Sequence, residues 1–290
     1  MNLPHDARDS TVDEKEANAR DLYDYGAGSV FACKADPRFA YCTYVPRPAG
    51  GPRRPLPLAV VVHGTYRTFM ELRNAYAEFC KWNHCAVLCP LFPIGVLGDG
   101  NRDGYKDMAE GDIRYDRVLL AMVDELAAKL GCDFRQFALA GYSGGGQFVN
   151  KFALLHPQRL WAASIGAPGV VTRLDPDTEW WVGTRGMQER FGIEPDLPAL
   201  RKVPVHLVVG KADLETWEIT FKPGHRRYMP GANDAGATRV DRIRSLKASF
   251  EKAGIEVQLD IVPNLAHDGL KVVGVVQEFL AKVLAARIPG

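Results

Sequence analysis

Apolar residues along this chain form short continuous runs that alternate with longer stretches of helical periodicity. Runs that are apolar throughout, rather than at every second position, are typical of strands buried on both faces of a sheet. Their alternation with helices predicts a mostly parallel sheet with helices on both faces. The predicted strands are Leu58–Val62, Ala86–Leu91, Phe137–Ala140, Leu160–Ile165, Val205–Val209 and Glu256–Val262. The predicted helices are Phe69–Trp82, Ile113–Leu130, Gln147–Leu155, Arg239–Ala253 and Gly269–Ala286.

Two parts of the chain depart from this alternation. Near the N-terminus, the β-rich runs Ser29–Ala35 and Phe39–Val45 flank an Asp-Pro-Arg turn and predict an antiparallel hairpin. The stretch Val170–Ala199 has prolines and tryptophans but no clear strand, and we interpret it as an insertion over the C-terminal edge of the sheet. We therefore expect a polar arm over residues 1–28, then a single domain over 29–290 with a cap at about 170–200.

Composition narrows the functional classes. The 290 residues are 47% hydrophobic and 24% charged, with a formal net charge of +1, which is typical of a folded core. Such a balance gives no general attraction to nucleic acid or to an anionic membrane. No apolar run reaches the roughly 18 residues of a membrane span. The charged N-terminus lacks the apolar segment of a secretion signal, so we expect a cytoplasmic protein, although a processed secreted chain would look the same.

The cysteines favour a structural role. Six in a chain of 290 residues are too sparse for a disulfide scaffold. A disulfide between Cys33 and Cys42, which flank the predicted hairpin turn, stays open because register does not follow from sequence. A zinc site is suggested by a second group, which consists of Cys80, Cys85 and Cys89 with His84. Its spacing is not Cys-x-x-Cys, so we interpret these cysteines as small buried side chains.

A nucleophile is indicated by the segment Gly141–Gly145, which reads Gly-Tyr-Ser-Gly-Gly and matches the pattern Gly-x-Ser-x-Gly. It lies between the predicted strand that ends at Ala140 and the predicted helix that starts at Gln147. A serine at such a sharp turn adopts a strained backbone, and the two outer glycines leave room for the chain to pass. We therefore predict that Ser143 is a nucleophile. The alternative is a glycine-rich turn that only begins a helix.

A serine hydroxyl needs a base at neutral pH, and the base needs an orienting acid. His267 lies between the last predicted strand and the last helix, at the edge of the sheet where the serine turn lies. We predict that His267 is the base, with His225 as the competing candidate. Asp213 follows the strand Val205–Val209 and is the predicted acid. Two nearby carboxylates that could take this role instead are Glu215 and Glu218.

Two backbone N–H groups are expected to stabilise the oxyanion of the transition state. One belongs to Gly144, directly after the nucleophile. The other should come from the loop after the strand that ends near His63, where Thr65 is the first candidate and Tyr66 the second.

These residues resemble the α/β-hydrolase superfamily of serine hydrolases. The resemblance rests on His63-Gly64-Thr65, the Gly141–Gly145 turn, Asp213 and His267, in the order serine, acid, histidine, and it spans residues 29 to 288. The block Gly144-Gly145-Gly146-Gln147-Phe148 looks like bacterial esterases related to polyhydroxyalkanoate depolymerases and feruloyl esterases. The resemblance implies an eight-stranded sheet, ester hydrolysis through an acyl-enzyme and no cofactor. The insertion matches no subfamily with an assignable substrate.

One loop carries a rival motif. Residues 99–110 fit the calcium-loop pattern Asp-x-Asn-x-Asp-Gly followed by Glu110. However, no helix precedes the loop, and Lys106 would place a positive charge beside the ion. We therefore expect a solvated loop at the entrance of the cleft and no metal site, with calcium as the alternative.

Several aromatic residues near the predicted site are candidates for substrate binding. Those in the insertion either pack onto the sheet or form an apolar wall for an acyl or aryl group. We predict a small or medium ester with an apolar portion as substrate. The alternatives are an amide, a thioester or acyl transfer on the same triad, or a non-catalytic binding protein. No nucleic-acid or membrane partner is expected, and the sequence does not indicate an oligomeric state. The candidate substrate-binding residues are Tyr66, Tyr142, Trp180, Trp181 and Trp217.

Overall fold

The computed structural model describes residues 23–47 and 55–287, together with Ala19. Most of the predicted polar arm lies outside these residues. Eight strands form one sheet in the spatial order β1-β2-β4-β3-β5-β6-β7-β8. β2 runs antiparallel to both of its neighbours, and the other neighbouring pairs are parallel. The strands are β1 Gly26–Ala32, β2 Ala40–Val45, β3 Leu58–Val62, β4 Ala86–Leu91, β5 Phe137–Tyr142, β6 Leu160–Gly166, β7 Val205–Gly210 and β8 Val257–Val262.

Both faces of the sheet are covered by helices. Successive side chains of β3 point to opposite faces: Leu58 and Val60 join one apolar cluster, while Ala59 and Val61 join the other. The first cluster includes side chains of α3, α4 and α7, and the second includes those of α2 and α8. The predicted α/β architecture is thus confirmed. The helices are α1 Phe69–Ala75, α2 Ala77–Asn83, α3 Tyr115–Leu130, α4 Gly144–Leu155, α5 Met187–Phe191, α6 Leu197–Leu200, α7 Arg239–Lys252 and α8 Val273–Arg287.

Some predicted boundaries were wrong. The helix predicted over Phe69–Trp82 is two helices that meet at Tyr76, whose backbone has φ −92° and ψ −1° and whose buried ring packs against Phe79. The helix predicted from Ile113 begins at Tyr115 instead, because the two residues before it pair with Ala109–Glu110 in a short antiparallel ribbon.

The predicted insertion, Val170–Ala199, contains only the short helices α5 and α6 among its described elements. Its aromatic side chains pack inward. Trp180 lies against Phe191 with 4.9 Å between ring centroids, and Trp181 lies edge-on to Phe221 at 5.8 Å. Both tryptophans are at least nine-tenths buried, so most of their surface contributes to the core rather than to an open wall.

All six cysteines are free, and five of them are buried. The open Cys33–Cys42 disulfide is not formed: Cys33 donates to Glu125, and the residue opposite Cys42 across the sheet is Cys89. Within the described part of the chain, no three potential ligand side chains of the His, Cys, Asp or Glu type gather as a metal site would require. None of the described helices combines the length and apolar character needed to cross a bilayer.

Candidate active site

Ser143 lies at the sharp turn between β5 and α4. Its backbone has φ 57° and ψ −116°, a region that side chains with a Cβ rarely occupy. The Ser143 N–H donates to the carbonyl of Gly166 at 2.9 Å, and this bond fixes the turn against β6. The strained conformation projects the hydroxyl beyond the carboxyl edge of the sheet, where parallel strands present their loops.

Glycines around this turn permit backbone contacts that a Cβ would block. A Cβ on Gly145 would lie 2.2 Å from the carbonyl oxygen of Val62, and one on Gly146 would lie 2.2 Å from that of Gly166. α4 therefore begins at Gly144 rather than at Gln147, since the glycines let its first turn press against β3 and β6.

Gly145→Ala is expected to destabilise the fold by at least about 3 kcal/mol, because backbone atoms of β3 would have to move. Urea unfolding followed by circular dichroism measures the loss. The matched control is Gly274→Ala in α8, where a Cβ meets nothing within 4 Å. That change should be neutral or should stabilise by about 0.5–1 kcal/mol, because alanine favours helix. Equal stability of the two variants would contradict this account.

The predicted base and acid lie together. His267 Nδ1 is 2.6 Å from Asp213 Oδ2, and the carboxylate is fully buried. The two loops that carry them are joined by the Ala212 N–H, which donates to the Leu265 carbonyl at 2.8 Å. This arrangement fixes the imidazole tautomer with its Nδ1 proton toward Asp213, leaving Nε2 to accept a proton.

The predicted base also lies next to the serine turn. The imidazole of His267 packs against the ring of Tyr142, with 5.1 Å between centroids, and Tyr142 directly precedes Ser143. Tyr142, a predicted substrate contact, thus packs against the predicted base. No hydrogen bond joins the Ser143 hydroxyl to His267 within the described part of the chain. Such bonds commonly tighten only when substrate binds.

Arg239, at the start of α7, is a residue that the sequence analysis missed. Its guanidinium donates to Asp213 Oδ1 at 3.2 Å and to Glu218 Oε2 at 2.7 Å. The alternative acid Glu218 therefore pairs with Arg239 rather than with a histidine. The other alternative, Glu215, accepts from the indole N–H of Trp217 at the surface. A long-range pair between α7 and the loop after β7 leaves no local sequence pattern.

The loop after β3 approaches the serine turn closely. A Cβ on Gly64 would lie 3.7 Å from the Ser143 Cβ, and Thr65 lines the same cleft as Ser143. His63 anchors this loop: Nδ1 bonds to the carbonyl of Gly64 at 2.8 Å, and Nε2 accepts from the Phe92 N–H at 3.0 Å. The N–H groups of Thr65 and Gly144 thus belong to two segments that meet at Ser143.

Arg67 adds a second anchor that the sequence analysis missed. Its guanidinium donates to the carbonyl of Thr65 at 2.6 Å, to that of Phe92 at 3.1 Å and to that of Arg102 at 2.7 Å. Three carbonyl contacts from one side chain hold the Thr65 peptide in place. Arg67 adopts φ 59°, so the chain turns sharply at the residue that makes these contacts.

His63 makes stability depend on pH. Burial lowers the pKa of His63 to about 3. Below the unfolded value of about 6.5, the unfolded chain binds a proton that the folded chain excludes, so stability falls as pH falls. We expect the free energy of unfolding, from urea titrations between about pH 6.5 and 4, to lose up to about 1.4 kcal/mol per pH unit from this residue. His63→Gln should make this slope shallower, and an unchanged slope would contradict the expectation.

The cleft beside Ser143 is narrow, with a cavity volume of about 40 Å³. Neither tryptophan of the insertion lines it, while Tyr66 and Trp217 are largely exposed at 93% and 75%. Its wall is instead rich in charge. The lining residues with a formal charge are Arg102, Asp103, Lys106, Glu218, Arg227 and Arg239. A more open groove at the opposite edge of the sheet contains no serine or histidine among its described lining residues.

The rival calcium motif is occupied by the protein's own side chains. Lys106 Nζ lies 2.6 Å from Asp103 Oδ1, and Arg226 contacts the same carboxylate at 3.7 Å. The carboxylate of Glu110 bonds to the amide of Asn101 and to the hydroxyl of Tyr115. The loop therefore lines the cleft with internal ion pairs.

A second serine–histidine–aspartate arrangement occurs within the sheet. His206 Nδ1 lies 2.9 Å from Ser164 Oγ, and its Nε2 lies 3.0 Å from Asp260 Oδ2. Ser164 is 1% exposed and His206 is completely buried, so no substrate reaches this serine. The competing base His225 lies on the cleft wall, where its Nδ1 accepts from the backbone N–H of Arg227 rather than facing Asp213.

Comparisons with solved structures agree with this architecture. Poly(aspartic acid) hydrolase-1 of Sphingomonas sp. KT-1 superposes with a TM-score of 0.68 and 21% identity, covering 87% of this chain and 97% of its own. The poly(3-hydroxybutyrate) depolymerase LpqC of Bordetella parapertussis gives 0.67 and 20%, covering 87% and 85%. An S-formylglutathione hydrolase of Agrobacterium tumefaciens gives 0.53 and 19%, covering 86% and 90%.

The strand order, the serine turn and these neighbours define one fold class. The chain has the α/β-hydrolase fold, as the sequence resemblance implied. The sequence matches no protein-family model and none of the curated proteins compared with it.

Proposed function

We propose that this protein is a serine hydrolase that cleaves carboxylic esters through an acyl-enzyme. The observation that carries the proposal is the serine on the strained turn at one edge of the sheet, with the His267–Asp213 pair at the same edge. The structural neighbours named as an esterase, a depolymerase and an S-formylglutathione hydrolase support hydrolysis of an acyl bond by analogy.

In the proposed acylation step, Ser143 Oγ attacks the ester carbonyl while His267 Nε2 takes the hydroxyl proton. The carbonyl oxygen becomes an oxyanion that accepts from the backbone N–H groups of Gly144 and Thr65. Asp213 stabilises the imidazolium without taking its proton. Collapse of the tetrahedral intermediate breaks the bond to the alcohol oxygen, which leaves with the proton from His267.

Deacylation repeats these roles with water as the nucleophile. His267 takes a proton from water, the hydroxide attacks the acyl carbonyl, and the same two N–H groups bind the second oxyanion. The acid is released as Ser143 recovers its proton from His267. The complete cycle of acylation and deacylation therefore returns the three side chains to their starting protonation states, and no cofactor takes part in the proposal.

A fluorophosphonate probe with turnover assays tests the proposal. We expect the probe to label Ser143 in folded protein, located by peptide mass spectrometry, and p-nitrophenyl acetate, butyrate and octanoate to be hydrolysed at different rates. An anilide and a thioester of the preferred acyl group distinguish the alternatives on the same triad. Protein that is neither labelled nor active on any of these substrates would favour the non-catalytic binding alternative.

A further inference from the structure

Arg227 occupies an unusual position in the cleft wall. Its guanidinium lies 5.4 Å from the ring centroid of Trp181 and 5.4 Å from that of Phe221. The side chain is 6% exposed, and Nη2 donates to Asp107 at 2.8 Å and to Gln147 at 3.2 Å. Because two rings lie beside it, the guanidinium can form further hydrogen bonds only in its own plane. Arg227 is thus a rigid, largely desolvated cation on the same cleft as Ser143.

This cation has an unsatisfied donor. Arg227 Nε is buried and has no hydrogen-bond partner among the described residues, and the same holds for Arg239 Nε on the same cleft. A buried N–H of a charged group without an acceptor is costly, because its hydration is lost without replacement. An acceptor supplied by a bound molecule would remove this cost.

Two further amines lie buried near Arg227. Lys106 and Lys151 are nearly or fully buried close by, while the neighbouring carboxylates are Asp103 and Asp107. Lys151 Nζ has no hydrogen-bond partner among the described residues and lies 5.9 Å from the Trp181 ring. Burial, together with the charges of Arg227 and Lys106, lowers the pKa of Lys151 to about 7. The arginine therefore contributes to a positive electrostatic potential in this part of the protein.

We infer that the cleft binds a carboxylate carried by the substrate, so that the protein prefers esters bearing a negative charge near the scissile bond, with Arg227 as the principal contact. A guanidinium is the side chain best suited to a carboxylate, since its donors match the two oxygens. The inference rests on the proposed hydrolase function and adds the substrate class. The ester with an apolar portion stays a prediction, to which this inference adds a negative charge.

Matched ester pairs test the preference. On the acyl side, the mono-p-nitrophenyl ester of glutarate is compared with p-nitrophenyl pentanoate. On the alcohol side, the butanoyl ester of hydroxynitrobenzoate is compared with that of its methyl ester. We expect kcat/KM for the charged member of one pair to exceed that of its neutral partner at least about tenfold, with the advantage shrinking as salt is added. The responding pair identifies the part of the substrate that Arg227 contacts.

Arg227→Gln should reduce this charged-to-neutral ratio at least about tenfold. The matched control is Arg226→Gln, which removes the same charge from the adjacent residue, where the side chain is 56% exposed. The control should change the ratio less than about twofold, because exposed charges are screened. A ratio near one in both pairs, or equal losses in the two variants, would overturn the inference while leaving the hydrolase proposal intact.

Binding measurements separate the two proposals. Glutarate and its neutral dimethyl ester are titrated calorimetrically into Ser143→Ala protein, with and without Arg227→Gln. We expect glutarate to bind and the added substitution to weaken it at least about tenfold. Such binding without ester turnover by wild-type protein would support the anion site and reject the hydrolase proposal. Absence of glutarate binding would overturn the anion site whatever the turnover results.

Discussion

Ser143→Ala is expected to lower kcat for the best ester substrate by at least about 10³-fold without loss of folded structure. In the proposed mechanism this residue supplies the atom that forms the acyl-enzyme, and no other described serine lines this cleft. Rates at saturating substrate measure the effect, and they are expressed per folded molecule with the folded fraction taken from circular dichroism. Residual turnover within about tenfold of wild type would assign hydrolysis to another group.

Ser143→Gly provides a control that separates strain from chemistry. Alanine keeps the Cβ and so retains the unfavourable backbone at φ 57° and ψ −116°, whereas glycine tolerates positive φ. We expect the glycine variant to be inactive but about 1 kcal/mol more stable than the alanine variant in urea unfolding. Equal stabilities would indicate that the turn carries no strain, and Ser143 would then lack the feature that distinguishes a nucleophile turn.

The sheet was predictable because its central strands are buried on both faces. Leu58–Val62 is apolar throughout and Val205–Val209 is apolar apart from His206, and such runs identify central strands without any knowledge of their partners. The break at Tyr76 was not predictable, because its side chain is buried and fits the periodicity of a continuous helix. Periodicity identifies which side chains are buried but does not report a local change in backbone direction.

The candidate triad could be proposed from the sequence because each residue follows a strand at the carboxyl edge, a position that chain order alone reveals. The groups around it were missed because they act across long separations. Arg239 and its partner Asp213 are 26 residues apart in the sequence, and Arg227 and its partner Asp107 are 120 residues apart. The expected apolar substrate followed from counting tryptophans in the insertion, and sequence does not show whether such rings face a cleft or, as Trp181 does, support a cation.

Asp213→Asn is expected to lower kcat by about 10²–10⁴-fold. The asparagine amide can donate to Nδ1 and so favour the wrong imidazole tautomer, in which Nε2 carries the proton and cannot act as base. The change should appear in kcat more than in KM, because substrate binding does not need the acid. Initial rates over a range of ester concentrations measure both parameters.

The two alternative carboxylates, Glu215 and Glu218, allow the assignment of Asp213 as the orienting acid to be tested. Glu215→Gln removes a charge two residues along the same loop, from a carboxylate that contacts Trp217 at the surface, and should change kcat less than about twofold. Asp213→Asn also leaves Arg239 with Glu218 as its remaining carboxylate partner among the described residues, so some stability should be lost as well. Rates must therefore be expressed per folded molecule, from urea curves under assay conditions. If Glu215→Gln lowers kcat more than Asp213→Asn does, the orienting acid is Glu215. A loss of stability in Asp213→Asn could not produce that result, because it would only enlarge the effect of Asp213→Asn.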